Sequence, residues 1–186
     1  MKRKKKSKGY KFGVFAIVLV IIFGVSITSL RKTFPRPYLE IVKEAGETYD
    51  LDTSLIYAVI HAESNFRETV VSSAGAKGLM QITDETGEFI RKRLDLADYT
   101  SEDLLDPKTN ILMGAHYLNY LSGRFSEKKT ILAAYNAGPN RVQKWLDDES
   151  MSDGTNLKII PFEETKEYVD RVILRQKIYD ILYWMK

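Results

Sequence analysis

Glu63 is the residue of this chain best placed for acid–base chemistry. It ends the apolar run IYAVIHA and opens the segment ESNFRETVVSSAGAKGLMQI, which is rich in small residues. A carboxyl at the C-terminal end of a helix lies at the negative end of the helix dipole, and burial further favours its neutral form. The position therefore predicts a raised pKa, which is the property that a general acid needs near neutral pH.

Other chemistries fit the sequence less well. The stretch from Gly75 to Gly78 lacks the Gly-Lys-Ser/Thr signature and the preceding strand of a phosphate-binding loop, and a polar wall for a sugar is the better interpretation. His61 and His116 lie in helical runs without a second ligand at metal spacing, which favours packing or surface roles. Because the chain has no cysteine, thiolate catalysis and disulfides are excluded. We therefore expect neither a metal nor a cofactor.

Helical periodicity accounts for most of the chain after residue 38. A helix is expected to begin at Asp52 or Thr53 and to end near Glu63. Other helices are predicted at about 108–121, 127–136 and 163–185, whereas residues 65–82 are predicted to form an ordered loop. The sequence thus predicts a mainly α-helical domain over residues 38–186.

The N-terminal region has the composition of a membrane anchor. Residues 1–11 form a basic tail, residues 12–30 carry no charge, and residues 31–37 form a proline-containing spacer. The uncharged stretch is long enough to cross a hydrocarbon core of about 30 Å, and it exceeds the roughly 7–15 apolar residues of a signal peptide. We expect an uncleaved, single-pass anchor in the cytoplasmic membrane. The positive-inside rule then places the basic tail in the cytoplasm and the domain outside it.

The formal net charge of +3 arises from the tail. Residues 1–30 contain seven Lys and Arg and no acid, whereas residues 31–186 contain 21 basic and 25 acidic side chains. A slightly acidic domain is not the electrostatic pattern of a nucleic-acid-binding protein, so no nucleic-acid partner is expected.

Four motifs together resemble the lytic transglycosylases of the soluble-lytic-transglycosylase (SLT) type, which are related in fold to goose-type lysozyme. The motifs are Glu63-Ser64-x-Phe66 with Ser72 nine residues after the glutamate, Gly75-Ala76-x-Gly78-Leu79-Met80-Gln81, Ala134-Tyr135-Asn136-Ala137-Gly138, and Ile160-Pro161-Phe162-x-Glu164-Thr165-Lys166-x-Tyr168-Val169. They occur in the family's order and cover roughly residues 38–186, so together they are far more specific than any one of them.

The resemblance implies an all-α, lysozyme-like domain with a groove for peptidoglycan glycan strands. Glu63 is then expected to protonate the glycosidic oxygen between N-acetylmuramic acid and N-acetylglucosamine, and next to take a proton from the muramyl 6-hydroxyl. This hydroxyl closes on C1 and leaves a 1,6-anhydro end. One carboxylate suffices because the substrate supplies the nucleophile, whereas most glycosidases use two.

The resemblance also supplies candidate substrate-binding residues. They are Ser72, Met80, Gln81, Tyr135, Asn136, Glu164 and Tyr168. Met80 is expected to form part of the groove wall, Tyr135 and Asn136 to fix the sugar and the glutamate, and Tyr168 to form a supporting hydrogen bond. The chain departs from the family at Arg67-Glu68, where Asn-Pro is common, and at Lys166, which replaces an arginine; these departures concern ligand preference.

Two alternatives remain open at this point. A hydrolytic muramidase of the goose-lysozyme type would need a second acid to activate water, and no second carboxylate is unambiguous in the sequence. An inactive glycan-binding module of an envelope machine would not require the acid. The products formed from cell wall distinguish all three.

Overall fold

The computed structural model describes the backbone of residues 6–183 and the side chains of residues 12–183. The helices are α1 (Lys6–Thr33), α2 (Leu39–Tyr49), α3 (Thr53–Glu63), α4 (Asp84–Leu94), α5 (Pro107–Arg124), α6 (Lys128–Ala137), α7 (Pro139–Leu146) and α8 (Glu163–Tyr183), with a 3-10 helix at Ser101–Leu105. Within this described part of the chain the regular structure is helical, and β pairing is limited to isolated bridges. The predicted all-α fold is therefore confirmed.

Helix α1 forms a compact unit separate from the domain that begins at Arg36. Its segment Phe12–Thr33 comprises 22 residues with a mean hydropathy of 2.6, which is long and apolar enough to cross a membrane. The first half of the predicted spacer is helical, because α1 continues to Thr33. The helix ends there because the residue before a proline, here Phe34 before Pro35, is disfavoured in the helical conformation. Of the predicted basic tail, residues 1–5 lie outside the described residues.

Helix α3 lies at the centre of the domain. Its residues from Leu55 to His61 are all buried, as expected for a helix that is apolar on every side. Its principal partner is α8, which also packs against α6, and α2 packs against both α3 and α5. This arrangement holds the C-terminal end of α3 against helices that carry the later motifs.

The segment between α3 and α4 is an ordered loop with little regular structure, as predicted. Lys77 forms isolated antiparallel bridges with Val71 and with Ile82. Helix α4 begins after Thr83, whose hydroxyl accepts a hydrogen bond from the Thr86 N–H and caps the helix. The loop therefore folds back on itself before the chain turns into α4.

Candidate active site

Glu63 is the last residue of α3, and its side chain is partly buried. Burial raises the pKa of this carboxyl from its ordinary value of 4.5 to about 7. The nearby Tyr168 hydroxyl and the Arg171 guanidinium oppose the rise, but they do not cancel it. Glu63 is thus a largely protonated acid below neutral pH, as its place in the sequence predicts.

The turn after Glu63 has a backbone conformation that residues other than glycine rarely adopt. Asn65 and Phe66 have φ values of 51° and 63°, both in the left-handed region. The Phe66 ring packs 5.3 Å from the His61 ring and 6.4 Å from the Tyr57 ring, measured between centroids. Aromatic contacts with α3 therefore stabilise a strained turn directly beside the acid, a setting in which strain is commonly functional.

Ser72 and Gln81 lie on the partly exposed surface of the loop. The Ser72 hydroxyl accepts a hydrogen bond of 3.0 Å from the Ala76 N–H, which leaves its own proton available to a ligand. Gln81 adopts a left-handed φ of 50°, and its amide nitrogen donates to the carbonyls of Val70 and Gly78. The Gln81 amide oxygen accepts no hydrogen bond from a described residue, so it is oriented and still able to accept one from a ligand.

Asn110 fixes this loop, and sequence reasoning missed it. Its fully buried side chain on α5 accepts a hydrogen bond from the Met80 N–H and donates to the carbonyls of Lys77 and Leu104. Gly78 allows this close approach, because a Cβ at that position would lie 2.2 Å from the Leu104 carbonyl oxygen and 2.4 Å from the Asn110 amide nitrogen. A polar residue in a helix usually indicates a surface position, so only the packing identifies Asn110 as the residue that holds the loop on α5.

Tyr135 of α6 joins the loop to the site. Its hydroxyl donates a 2.8 Å hydrogen bond to the Met80 carbonyl. Burial, followed by the charge of Glu63, raises its pKa well above the ordinary value, which keeps the phenol protonated and indicates that the two side chains are close. Helix α6 thereby brings the third motif next to the acid.

Met80 differs from its predicted role as a groove wall. Its side chain is fully buried, and a Cβ added at Gly114 would lie 2.4 Å from its sulfur, so the side chain packs closely on α5. In this structure no surface of that side chain is available to a sugar. Met80 contributes to the site through its backbone carbonyl, which orients Tyr135.

Tyr168 lies on α8 and is buried beside Glu63. Its pKa is raised well above the ordinary value, first by burial and next by the charge of Glu63. The hydroxyl is close enough to stabilise the carboxylate, although it forms no hydrogen bond of normal geometry with any residue that the structure describes. A buried phenol whose hydroxyl lacks a hydrogen-bond partner can donate a hydrogen bond to the carboxylate when that group ionises.

Arg171, one turn further along α8, is a second residue that sequence reasoning missed. Its exposed guanidinium lowers the pKa of Glu63 and so favours the ionised form. On the sequence it looks like an ordinary charge on the outer face of an amphipathic helix. Only the packing of α8 on α3 places it near the acid.

Asn136 and Glu164 are two candidates for which no described contact reaches either Glu63 or the loop. Both side chains are exposed, and neither forms a hydrogen bond or ion pair with another described residue. They belong to the ends of α6 and α8 from which Tyr135 and Tyr168 point inward. Their predicted contacts with substrate therefore stay predictions.

The two histidines lie in packed environments. His61 is buried, with its Nδ1 atom 3.3 Å from the Tyr179 hydroxyl, and burial together with Arg175 lowers its pKa to about 4. The His116 ring packs edge-on to Tyr49 at 5.4 Å between centroids. These contacts match the packing role that their helical positions predict.

The fold and the site together define a class of protein: a helical domain in which one carboxyl with a raised pKa, one buried and one half-buried phenol and a glycine-containing loop meet at a helix end. Residues 40–158 match the transglycosylase SLT domain family, which is most of the domain. The chain therefore belongs to this family, as the four motifs predict.

Individual proteins similar to this chain bear related names. The soluble lytic murein transglycosylase of Escherichia coli is 35% identical over 170 residues, which are 89% of this chain and 26% of that protein. The membrane-bound lytic murein transglycosylase C of Serratia proteamaculans is 30% identical over 87% of this chain and 52% of its own length. The chain thus spans between about a quarter and about half of these relatives.

A solved structure is similar to the domain in three dimensions. It is an inactive variant of the lytic transglycosylase Slt from Pseudomonas aeruginosa, in which a glutamate is replaced by glutamine. It aligns with a TM-score of 0.73 and 31% identity over 82% of this chain and 25% of that one. The similarity extends from sequence motifs to the packing of the helices.

Proposed function

We propose that this chain is a membrane-anchored lytic transglycosylase that cleaves the glycan strands of peptidoglycan, with Glu63 as its single acid and base. The observation that carries the proposal is the Glu63 carboxyl itself, whose pKa burial raises to about 7 at a helix end beside two protonated tyrosines. Among the described residues, no second carboxylate influences its pKa. One acid that changes protonation state during the cycle matches this arrangement.

The reaction uses Glu63 twice. In the first step the carboxyl gives its proton to the glycosidic oxygen between N-acetylmuramic acid and N-acetylglucosamine, and the bond from C1 to that oxygen breaks. In the second step the carboxylate takes the proton of the muramyl 6-hydroxyl, and the oxygen of this hydroxyl bonds to C1. The 1,6-anhydro product forms without water, and Glu63 returns to its protonated state.

The neighbouring groups support the two protonation states in turn. Burial favours the neutral acid before the first step, whereas the Tyr168 hydroxyl and the Arg171 charge favour the carboxylate between the steps. The Ser72 hydroxyl and the Gln81 amide oxygen are available to bind sugar hydroxyl or acetamido groups. Tyr135 donates to the Met80 carbonyl and lies near Glu63, where it can help to fix the sugar and the acid. Asn136 and Glu164 are proposed as outer contacts.

The proposal distinguishes this chain from a hydrolytic muramidase and from an inactive binding module. Hydrolysis with inversion needs a second carboxylate to activate water, about 6.5–9.5 Å from the first. A binding module would gain nothing from a buried acid, because keeping a carboxyl in a position that opposes its ionisation is unfavourable for the fold. The glutamate-to-glutamine variant of the Pseudomonas aeruginosa enzyme is inactive, which supports an essential glutamate.

The test compares wild type with Glu63→Gln on isolated peptidoglycan, using the full chain in detergent. Mass spectrometry of the soluble products should find 1,6-anhydro-muramyl ends with wild type and a loss of activity of at least about a hundredfold with the variant. Glu47→Gln is the matched control, because Glu47 is exposed on α2. Reducing ends instead of anhydro ends would favour a muramidase, and binding without any product would favour the inactive module.

Membrane anchoring through residues 12–30 is the second part of the proposal. The apolar segment of α1 and the membrane-bound relatives support it, and the seven basic residues before and at its start favour a cytoplasmic N-terminus. The domain then lies outside the cytoplasmic membrane, where its proposed substrate occurs. Alkaline phosphatase fused after residue 186 should be active in intact cells, and carbonate washing should leave the chain in the membrane fraction.

A further inference from the structure

Three tyrosines form a stack that leads from the core of the domain to the point where the chain enters it. The ring of Tyr57 on α3 lies 5.5 Å from that of Tyr179 on α8, and the ring of Tyr179 lies 6.1 Å from that of Tyr183, with interplanar angles of 24° and 20°. The Arg36 guanidinium lies over the Tyr183 ring, 3.9 Å from its centroid. Arg36, the first residue of the domain, therefore forms a cation–π contact with the outermost ring of a tyrosine stack that begins in the core.

The next residue is fixed as well. The Tyr57 hydroxyl donates a 3.0 Å hydrogen bond to the Pro37 carbonyl. Tyr57 is only 1% exposed, so this bond ties the entering chain to a side chain that is itself immobilised by packing. Arg36 and Pro37 thus belong to the folded domain and do not act as a flexible spacer.

The preceding chain is helical almost to the same point. The Phe34 N–H donates to the Leu30 carbonyl, so helical hydrogen bonding continues one residue beyond the end of α1. Pro35 is the single residue between this last helical hydrogen bond and Arg36. One residue spans at most about 3.6 Å, and a proline has a fixed φ, so the chain has no room for a flexible tether.

The covalent chain therefore limits how far the domain can be from the bilayer. Residues 30–36 add roughly 10–15 Å beyond the apolar stretch, and a domain of about 150 residues has a diameter of roughly 40 Å. This limit holds for any orientation of the domain. We propose that the site acts on glycan strands lying within about 50 Å of the membrane surface, and not on cell wall further out. This inference rests on the proposed function and on the proposed anchor.

The test changes the reach of the domain without changing the site. A flexible segment of 30 Gly and Ser residues is inserted between Pro35 and Arg36, and it should add roughly 30 Å of reach. The same segment appended after Lys186 is the matched control, because it lengthens the chain without lengthening the tether. Each protein is reconstituted into vesicles that also contain linear glycan strands attached to a lipid at their reducing ends.

At an early time, when each strand has been cut at most once, the longest lipid-linked remnants should measure no more than about 50 Å for wild type and control. For the inserted variant the longest remnants should be roughly 30 Å longer. Remnant lengths are measured by gel electrophoresis and mass spectrometry. Equal remnant lengths for all three proteins would overturn the proposal. So would a failure of reconstituted wild type to cut the lipid-linked strands while the same protein in detergent cuts free strands.

A second substrate distinguishes newly made strands from finished wall. Cross-linked sacculi added outside the vesicles should be cut severalfold more slowly by reconstituted wild type than by wild type in detergent, and the insertion should remove most of that difference. Rapid cutting of sacculi by reconstituted wild type would contradict the limit on reach. If wild type in detergent forms no anhydro products from either substrate, the proposed function fails and not the inference about distance.

Discussion

Replacing Glu63 by glutamine is expected to stabilise the folded domain, but only at pH values where the glutamate would be ionised. Burial raises the pKa of the carboxyl from 4.5 to about 7. An acid whose pKa is higher in the folded than in the unfolded chain holds its proton more tightly when folded, so its ionisation opposes folding. The destabilisation is absent below pH 4.5, grows as the pH rises, and is complete above about pH 7.

The size of the effect follows from the change in pKa. Each pKa unit corresponds to about 1.36 kcal/mol, so the rise from 4.5 to about 7 sets an upper limit of about 3 kcal/mol. Because the side chain is partly exposed, solvent screening reduces this to about 1–2 kcal/mol. At roughly 2–4 °C per kcal/mol for a domain of this size, the Tm of Glu63→Gln should exceed that of wild type by about 2–8 °C above pH 7.

The assay is thermal unfolding of the full chain in detergent, followed by tryptophan fluorescence, to which the buried Trp145 contributes. Wild type, Glu63→Gln and the exposed control Glu47→Gln are compared below pH 4.5 and above pH 7. The gain should occur with Glu63→Gln alone and only at the higher pH. A gain of equal size at both pH values, or a loss at the higher one, would refute the view that the fold holds this carboxyl in its neutral form.

Three further substitutions test the groups around the acid. Arg171→Gln should raise the pKa of Glu63 and move the alkaline limb of the pH–rate profile for anhydro-product release to higher pH, whereas Lys177→Gln, exposed on the same helix, should leave the profile unchanged. Asn110→Ala removes the three hydrogen bonds of a fully buried side chain and should lower the free energy of unfolding by about 3 kcal/mol or more in urea titrations, with slower turnover at an unchanged pH profile. Gly78→Ala should cost at least about 2 kcal/mol in the same titrations, because its Cβ would meet the Leu104 carbonyl, whereas Gly154→Ala, with a positive φ but open space, should cost about 1 kcal/mol.

Periodicity and motifs predict the helices and the acid but not the backbone conformation of the loop. Helix α3 begins at Thr53 and ends at Glu63 as expected, because an uninterrupted apolar run preceded by a residue typical of N-caps, Asp52, is a strong local signal. Asn65, Phe66 and Gln81 adopt left-handed conformations without being glycine. Contacts with α3 and with backbone carbonyls impose these conformations, and contacts distant in sequence leave no local signal.

Burial is the other property that the sequence does not specify. Met80 looks like an exposed wall residue in a polar loop, yet its side chain packs on α5 because Gly114 leaves room for it. Asn110 looks like a surface residue, yet it is fully buried and its side-chain oxygen and nitrogen bond to backbone groups. In both cases the loop packs against α5. Only the packed structure shows that Met80 and Asn110 lie in this contact.

The strain and burial around Glu63 are unfavourable for the fold but useful for the proposed reaction. The left-handed turn at Asn65 and Phe66 and the partly buried carboxyl each oppose folding, and both lie at the end of α3, whose central residues are all buried. The packing of α3 on α8 offsets this cost, and the same packing brings Tyr168 and Arg171 to the carboxyl. A substitution that relieves the strain or the burial should therefore stabilise the domain and slow the proton transfers together, because a single arrangement of residues determines both.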